Sequence, residues 1–263
     1  ELLARAFVSP EDEVIFSQYA FAVYPIVTQA VGAKAVIAPA RGYSHDLRAM
    51  HTLISNKTKL IFIANPNNPT GTFLEAGGLE SFISQVPETT IIVLDEAYVE
   101  YGDGDVDSTD WLVKYPNLVI TRTFSKAYGL AGLRIGYALS NPEIADLLNR
   151  IRQPFNGNSL ALAAAVVALS DDQYITDTKE MNNQGMAQVI IGLEELGLNY
   201  IPSKANFLTV DIGRNSDEVF DLLLKEGVII RPVANYGLAN HIRVSIGLES
   251  ENQRFLAALE QVL

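Results

Sequence analysis

Leu60-Ile61-Phe62-Ile63 runs, after one alanine, into Asn65-Pro66-Asn67-Asn68-Pro69-Thr70-Gly71. The first four residues are continuously apolar, as in a strand covered on both faces. The seven that follow hold two prolines and a glycine, which fix a tight backbone path at the strand's end. Outward in both directions the pattern recurs. Val14-Ile15-Phe16, Ala35-Val36-Ile37, Ile91-Ile92-Val93-Leu94 and Leu118-Val119-Ile120 are further unbroken runs. Helical candidates lie between them at Tyr24–Val31, Asp46–Ile54 and Gly78–Gln85. Strand-helix alternation of this kind predicts an α/β fold with a doubly wound, mainly parallel sheet. Ligands of such sheets bind outside the carboxyl ends of the strands.

Past Ser159 the pattern changes. Long helical material extends to about Leu196, broken near Ser170-Asp171-Asp172. Phe207–Ile212, Val228–Pro232 and His241–Ile246 read as strands, Ser216–Lys225 and Glu249–Leu263 as helices. The expected organisation is a large α/β domain over 1–160, a helical segment over 161–190 and a small α+β domain over 191–263. Asp103–Asp107 reads as a solvated acidic loop. The first residues, Glu1–Phe7, read as a helix already under way, without a capping residue or signal-peptide pattern.

The chain has 263 residues, 48% hydrophobic and 19% charged, enough apolar material for a sizeable core. A net charge of -12 argues against nucleic acid as a partner and fits a cytoplasmic enzyme. No apolar run reaches the ~18 residues that span a membrane. The absence of cysteine excludes thiolate chemistry and disulfides. His45, His51 and His241 have no metal-like spacing.

Three constellations carry chemistry. The Asn-Pro loop can aim an amide into a site, although as an isolated feature it is equally a surface turn. Leu94-Asp95-Glu96-Ala97-Tyr98 puts an acid directly after a buried strand, where a charge must be paired, hydrated or at a site. Thr121-Arg122-Thr123-Phe124-Ser125-Lys126 places a lysine beyond the next strand, with Arg134 eight residues later. The glycines that follow do not form a dinucleotide fingerprint, and no Walker sequence is present. Together these supply an amide, an acid, a phenol, an amine, hydroxyls and a guanidinium at successive strand ends.

The order Asn-Pro-Thr-Gly, Asp-x-x-Tyr and Ser-Lys with arginine eight residues on resembles the fold-type-I, class I/II aminotransferases. The resemblance implies pyridoxal 5'-phosphate as cofactor. Lys126 would bond to its aldehyde and later shuttle the substrate proton. Asp95 would keep the ring nitrogen protonated, while Tyr98 and Asn68 would bond the ring oxygen. Thr123, Ser125 and Arg134 would hold the phosphate. Phe21 or Tyr24 would stack on the ring, with the spacing to Gly32 favouring Phe21.

Phe21-Ala22-Val23-Tyr24-Pro25, Ser203–Phe207, Val228–Pro232 and His241–Gly247 resemble the histidinol-phosphate aminotransferase family more narrowly. That resemblance implies amino transfer from L-histidinol phosphate to 2-oxoglutarate, with Arg231, Arg243 and Asn206 as substrate-binding residues, in a homodimer acting on small molecules. An aromatic amino-acid aminotransferase, a threonine-phosphate decarboxylase of the same fold, and a non-catalytic effector-binding domain remain open here. By the same resemblance the family carries a segment upstream of Glu1 that helps cup the phosphate. A chain without it is expected to bind the cofactor weakly.

Overall fold

A computed structural model describes residues 1–102 and 107–263. Most of the expected acidic loop, 103–106, lies outside the described residues. Among the described residues the strands, in chain order, are β1 (Glu13–Ser17), β2 (Lys34–Ala38), β3 (Ala40–Arg41), β4 (Ser44–His45), β5 (Thr58–Ala64), β6 (Ile91–Asp95), β7 (Leu118–Thr123), β8 (Gly136–Ser140), β9 (Asn199–Ile201), β10 (Phe207–Asp211), β11 (Arg231–Pro232) and β12 (His241–Ser245). The α-helices are α1 (Leu2–Phe7), α2 (Val23–Ala30), α3 (Leu47–Thr52), α4 (Ala76–Ile83), α5 (Pro142–Ile151), α6 (Ser159–Ala168), α7 (Asp172–Glu195), α8 (Ser216–Lys225) and α9 (Glu249–Val262).

The main sheet has the order β2-β1-β5-β6-β7-β8. Its pairs are parallel except β7 with β8. From β1 the chain first steps outward to β2, then crosses back to β5 and proceeds the other way. The switch point between β1 and β5 is where such a sheet opens a crevice. The apolar runs predicted as strands are all present. The antiparallel β8, the short hairpin β3-β4 and α5 are additions. Their sequences lack a clean run: Gly136–Ser140 is half-exposed along its length.

Alternation along each strand divides the core. Phe62, Val93 and Val119 face one side, against Tyr24, Val27 and Ile144. Ile63, Leu94 and Ile120 face the other, against Leu79, Phe82 and Trp111. Both faces are covered, so the runs are apolar without interruption.

The second sheet, β11-β12-β10-β9, is antiparallel throughout. α7, α8 and α9 cover it through Val189, Leu193, Val219, Leu223, Phe255 and Leu259. The strand expected over Val228–Pro232 pairs only at Arg231–Pro232. Val228 and Ile230 are still buried, so the apolar pattern there reports packing without ladder pairing. The break expected near Ser170–Asp172 is real: Asp171 caps α7 by accepting from the Tyr174 N–H.

Ile63 is fully buried mid-sheet. Ile63→Ala is expected to lower the unfolding free energy by about 2–5 kcal/mol, through lost transfer energy plus a cavity. Urea titration measures this, and a loss under about 1 kcal/mol would mean that the site collapses to fill the void.

Candidate active site

Strand register builds the floor of the site. Ala64 pairs with Asp95, and Asp95 with Thr121, so three neighbouring parallel strands end abreast. Their side chains share the face that carries Phe62, Val93 and Val119, and all three line one cavity of about 560 Å³. That volume is within the ~300–1,000 Å³ usual for small-molecule sites. The same cavity is lined by Phe21, Tyr24, Asn68, Tyr98, Thr123, Ser125, Lys126, Arg134, Arg231 and Arg243. Residues from the large sheet and from β11 and β12 therefore meet in one place.

Asn206 is not among the lining residues. Its side chain engages the Tyr101 hydroxyl and its carbonyl accepts from the Ile246 N–H. Pro66, Ala97, Thr121, Arg122 and Tyr236 line the cavity without having been expected there. Thr121 was legible in principle, since it sits one strand over from Asp95 in a parallel sheet. Tyr236 is in an irregular turn and carried no signal.

The Asn-Pro loop is rigid for identifiable reasons. Asn65 clamps it shut: its amide donates to the Leu74 carbonyl at 3.0 Å and accepts from the Leu74 N–H at 2.8 Å. Asn67 donates to the Tyr19 carbonyl at 2.9 Å. Gly71 has φ +75°, and a Cβ there would lie 2.2 Å from Ser203 Oγ. Only glycine allows that approach. The loop thereby presents the Asn68 amide, which donates to the Tyr98 hydroxyl oxygen at 3.2 Å. The phenol proton is left free to point into the cavity. Burial pushes the Tyr98 phenol up to about 12, so that proton stays on. Arg243 donates to Asn68 Oδ1, which ties β12 to the same chain of bonds.

Asp95 faces the cavity yet lies deep in the protein. Burial raises its carboxyl above the usual range, and donors from Tyr24, the Ala97 N–H and Thr121 pull it back. The Tyr24 hydroxyl lies 2.7 Å from Oδ2. Tyr24 also lines the cavity, with one face of its ring committed to the core. Its ring is stacked on Phe62 at 4.4 Å, with an interplanar angle of 2°. Phe21 stands edge-on to it at 6.0 Å and lines the same cavity.

Lys126 lies just past β7, its amine 5.4 Å from the Tyr98 ring centroid. Partial burial lowers its ammonium from the usual range, and Arg243 and Arg134 lower it further. Arg134 is held in the left-handed region at φ 55°. Arg122, by contrast, is consumed structurally: it binds buried Glu96 at 2.8 Å and Asp107 at 3.3 Å. Glu96 also accepts from Ser108 at 2.5 Å.

The donor set fits a flat, phosphorylated, zwitterionic heterocycle. A buried carboxylate awaits a cationic nitrogen, a phenol proton awaits an anionic oxygen, and hydroxyls beside Arg134 await a phosphate.

The family model for class I and II aminotransferases matches residues 1–259. The chain belongs to the class I and II aminotransferases. Histidinol-phosphate aminotransferase 2 of Pseudomonas fluorescens is 57% identical over 265 residues, which covers all of this chain and 72% of that protein. Histidinol-phosphate aminotransferase 1 of Idiomarina loihiensis is 58% identical over 264 residues, with the same coverage. The crystal structure of histidinol-phosphate aminotransferase from Sinorhizobium meliloti, in complex with pyridoxal-5'-phosphate, superposes with a TM-score of 0.93 at 32% identity, covering 99% of this chain and 73% of that one. The aminotransferase therefore has the fold-type-I architecture and uses pyridoxal phosphate. Among the described residues no helix is long and apolar enough to cross a membrane.

Two outcomes are expected of this geometry. Arg243→Gln removes a neighbouring positive charge, so the Lys126 ammonium should titrate at higher pH. The pH profile of Lys126 acylation in cofactor-free protein reports this as an upward shift. An unchanged profile would mean that solvent screens the pair. Separately, burial raises the Glu100 carboxyl to about 7. A carboxyl raised on folding favours the fold below its unfolded pKa and loses that contribution as pH rises to its folded value. Glu100→Gln should therefore stabilise the protein at pH 8 and lose that advantage toward pH 5, as thermal melts across pH would reveal.

Proposed function

We propose that this aminotransferase transfers the amino group of L-histidinol phosphate to 2-oxoglutarate, a step of histidine biosynthesis. The observation that carries the substrate is the pairing of Arg231 with Arg243 across β11 and β12 at the cavity. Like charges directly opposite on a sheet repel. A dianionic phosphate between them would turn that repulsion into two charge-assisted contacts. The names of the bacterial relatives support the same choice.

Bound pyridoxal phosphate supplies an aldehyde carbon that receives the amino group and a ring that withdraws electrons from the reacting centre. The chain's own residues do the rest. Lys126, its ammonium lowered by burial and two arginines, takes the proton from the substrate carbon bearing the amine and returns it on the far side of the transfer. Asp95 keeps the ring nitrogen protonated. Tyr98 donates to the ring oxygen, oriented by Asn68. Thr123, Ser125 and Arg134 hold the cofactor phosphate, and Phe21 packs on the ring. Arg243 serves the substrate phosphate in one half-reaction and the carboxylate of the dicarboxylic partner in the other.

The separate cores support a division into a large unit over 1–160, a connecting helical segment over 161–190 and a small unit over 191–263. Exposed Leu160, Leu162, Val166 and Val167 along α6 support a homodimer. A cytoplasmic location agrees with a biosynthetic role.

Steady-state kinetics of the intact protein test the substrate. Histidinol phosphate should exceed histidinol in kcat/KM by roughly ten- to a hundredfold or more, the worth of one or two charged hydrogen bonds. Arg231→Gln should erase part of that preference. Equal rates with both amines, or carbon dioxide release from an amino-acid phosphate, would replace this reading by another aminotransferase or by a decarboxylase of the same fold.

A further inference from the structure

Tyr24 commits its hydroxyl and one face of its ring to protein partners. Its ring lies flat on Phe62, and a ring face in contact with Phe62 is closed to any other partner. Its hydroxyl, deep in a residue only 3% exposed, has one partner, Asp95 Oδ2 at 2.7 Å. Within α2 the Thr28 hydroxyl donates to the Tyr24 carbonyl at 2.7 Å. The Asp95 carboxylate is therefore gripped from both ends. Tyr24 holds Oδ2, and the Ala97 N–H holds Oδ1 at 3.2 Å.

We propose that Tyr24 is a positioning residue: its hydroxyl fixes the Asp95 carboxylate in the orientation and charge state that binds the cofactor's ring nitrogen. This rests on the reading of Asp95 given above. A carboxylate has about four acceptor positions. Tyr24 and the Ala97 N–H each hold one oxygen, which resists rotation of the carboxylate plane, and Thr121 supplies a third donor. A buried anion short of donors takes up a proton. A neutral Asp95 would lose its attraction for a cationic ring nitrogen, so the phenol acts on the cofactor through the acid.

The test compares pyridoxal phosphate with its 1-deaza analogue, which has carbon in place of the ring nitrogen, by equilibrium titration of the cofactor-free intact protein. Tyr24→Phe keeps the stack on Phe62 and removes one oxygen. It should weaken pyridoxal phosphate about tenfold, the scale of one lost hydrogen bond to a charged group, and the analogue less than about twofold. In an Asp95→Asn background the same change should add nothing. Tyr24→His, which keeps a ring and a donor, should restore part of the preference and serves if Tyr24→Phe folds poorly. Equal weakening of both ligands, or a full added loss on Asp95→Asn, overturns the role, because each means simple packing. If Asp95→Asn abolishes the preference for the nitrogen ligand while Tyr24→Phe keeps it, the role of Tyr24 alone is overturned. If Asp95→Asn keeps the preference, the reading of Asp95 falls and takes this one with it.

Discussion

Asp95 is an acid placed where the surroundings oppose its charge, at the buried end of β6, an inner strand of the large sheet. Burial pushes its carboxyl toward the neutral form. Much of the architecture can be understood as the set of contacts that keeps it charged and aimed. β6 delivers it; Thr121, one strand over, and the Ala97 N–H, one turn on, donate to it; and α2 brings Tyr24 under it. A neutral side chain at this position would need none of these partners. It would also have no hold on a cationic ring.

The opposite wall is coupled to this one through the Asn-Pro loop. Thr209 of β10 donates to the Pro69 carbonyl at 2.5 Å, and the Lys204 N–H donates to the Gly71 carbonyl at 2.9 Å. The second sheet is therefore bolted to the loop that carries Asn68. Arg243 then reaches Asn68 from β12, and Asn68 reaches Tyr98. The substrate's expected anchor and the cofactor's expected hydrogen-bond donors belong to one connected chain. An anion arriving at Arg243 would compete with Asn68 for the guanidinium, so substrate binding and the environment of Tyr98 are physically linked.

The sequence disclosed the scaffold better than its connections. Continuous apolar runs located β1, β2, β5, β6 and β7 because strands buried on both faces have no polar alternation to confuse them. β8 escaped because it sits at the sheet's antiparallel edge and alternates weakly. The motif residues met as expected, since strand ends in a parallel sheet lie abreast whatever the intervening helices do. Tyr24 was harder. Phe21, just before α2, and Tyr24, in its first turn, are both placed for stacking; the spacing to Gly32 favours Phe21, and the contact of Tyr24 with Phe62 agrees with that. Asn206 does not line the cavity: a strand-flanking asparagine can turn either way, and here it turns to Tyr101.

Charge gives the sharpest contrast between what composition says and what the site does. The chain carries a formal charge of -12. Yet Lys126, Arg134, Arg231 and Arg243 converge on one cavity whose only lining carboxylate among the described residues is Asp95, with Arg122 already matched by Glu96 and Asp107. At physiological salt, charges farther than about 8–10 Å are largely screened. The acidic exterior therefore does little to repel an anion that has entered, while the arginines act at contact distance in a partly desolvated space. Net charge bears on nucleic acid because that partner reads the outer surface. It says nothing about a phosphate small enough to be read from inside.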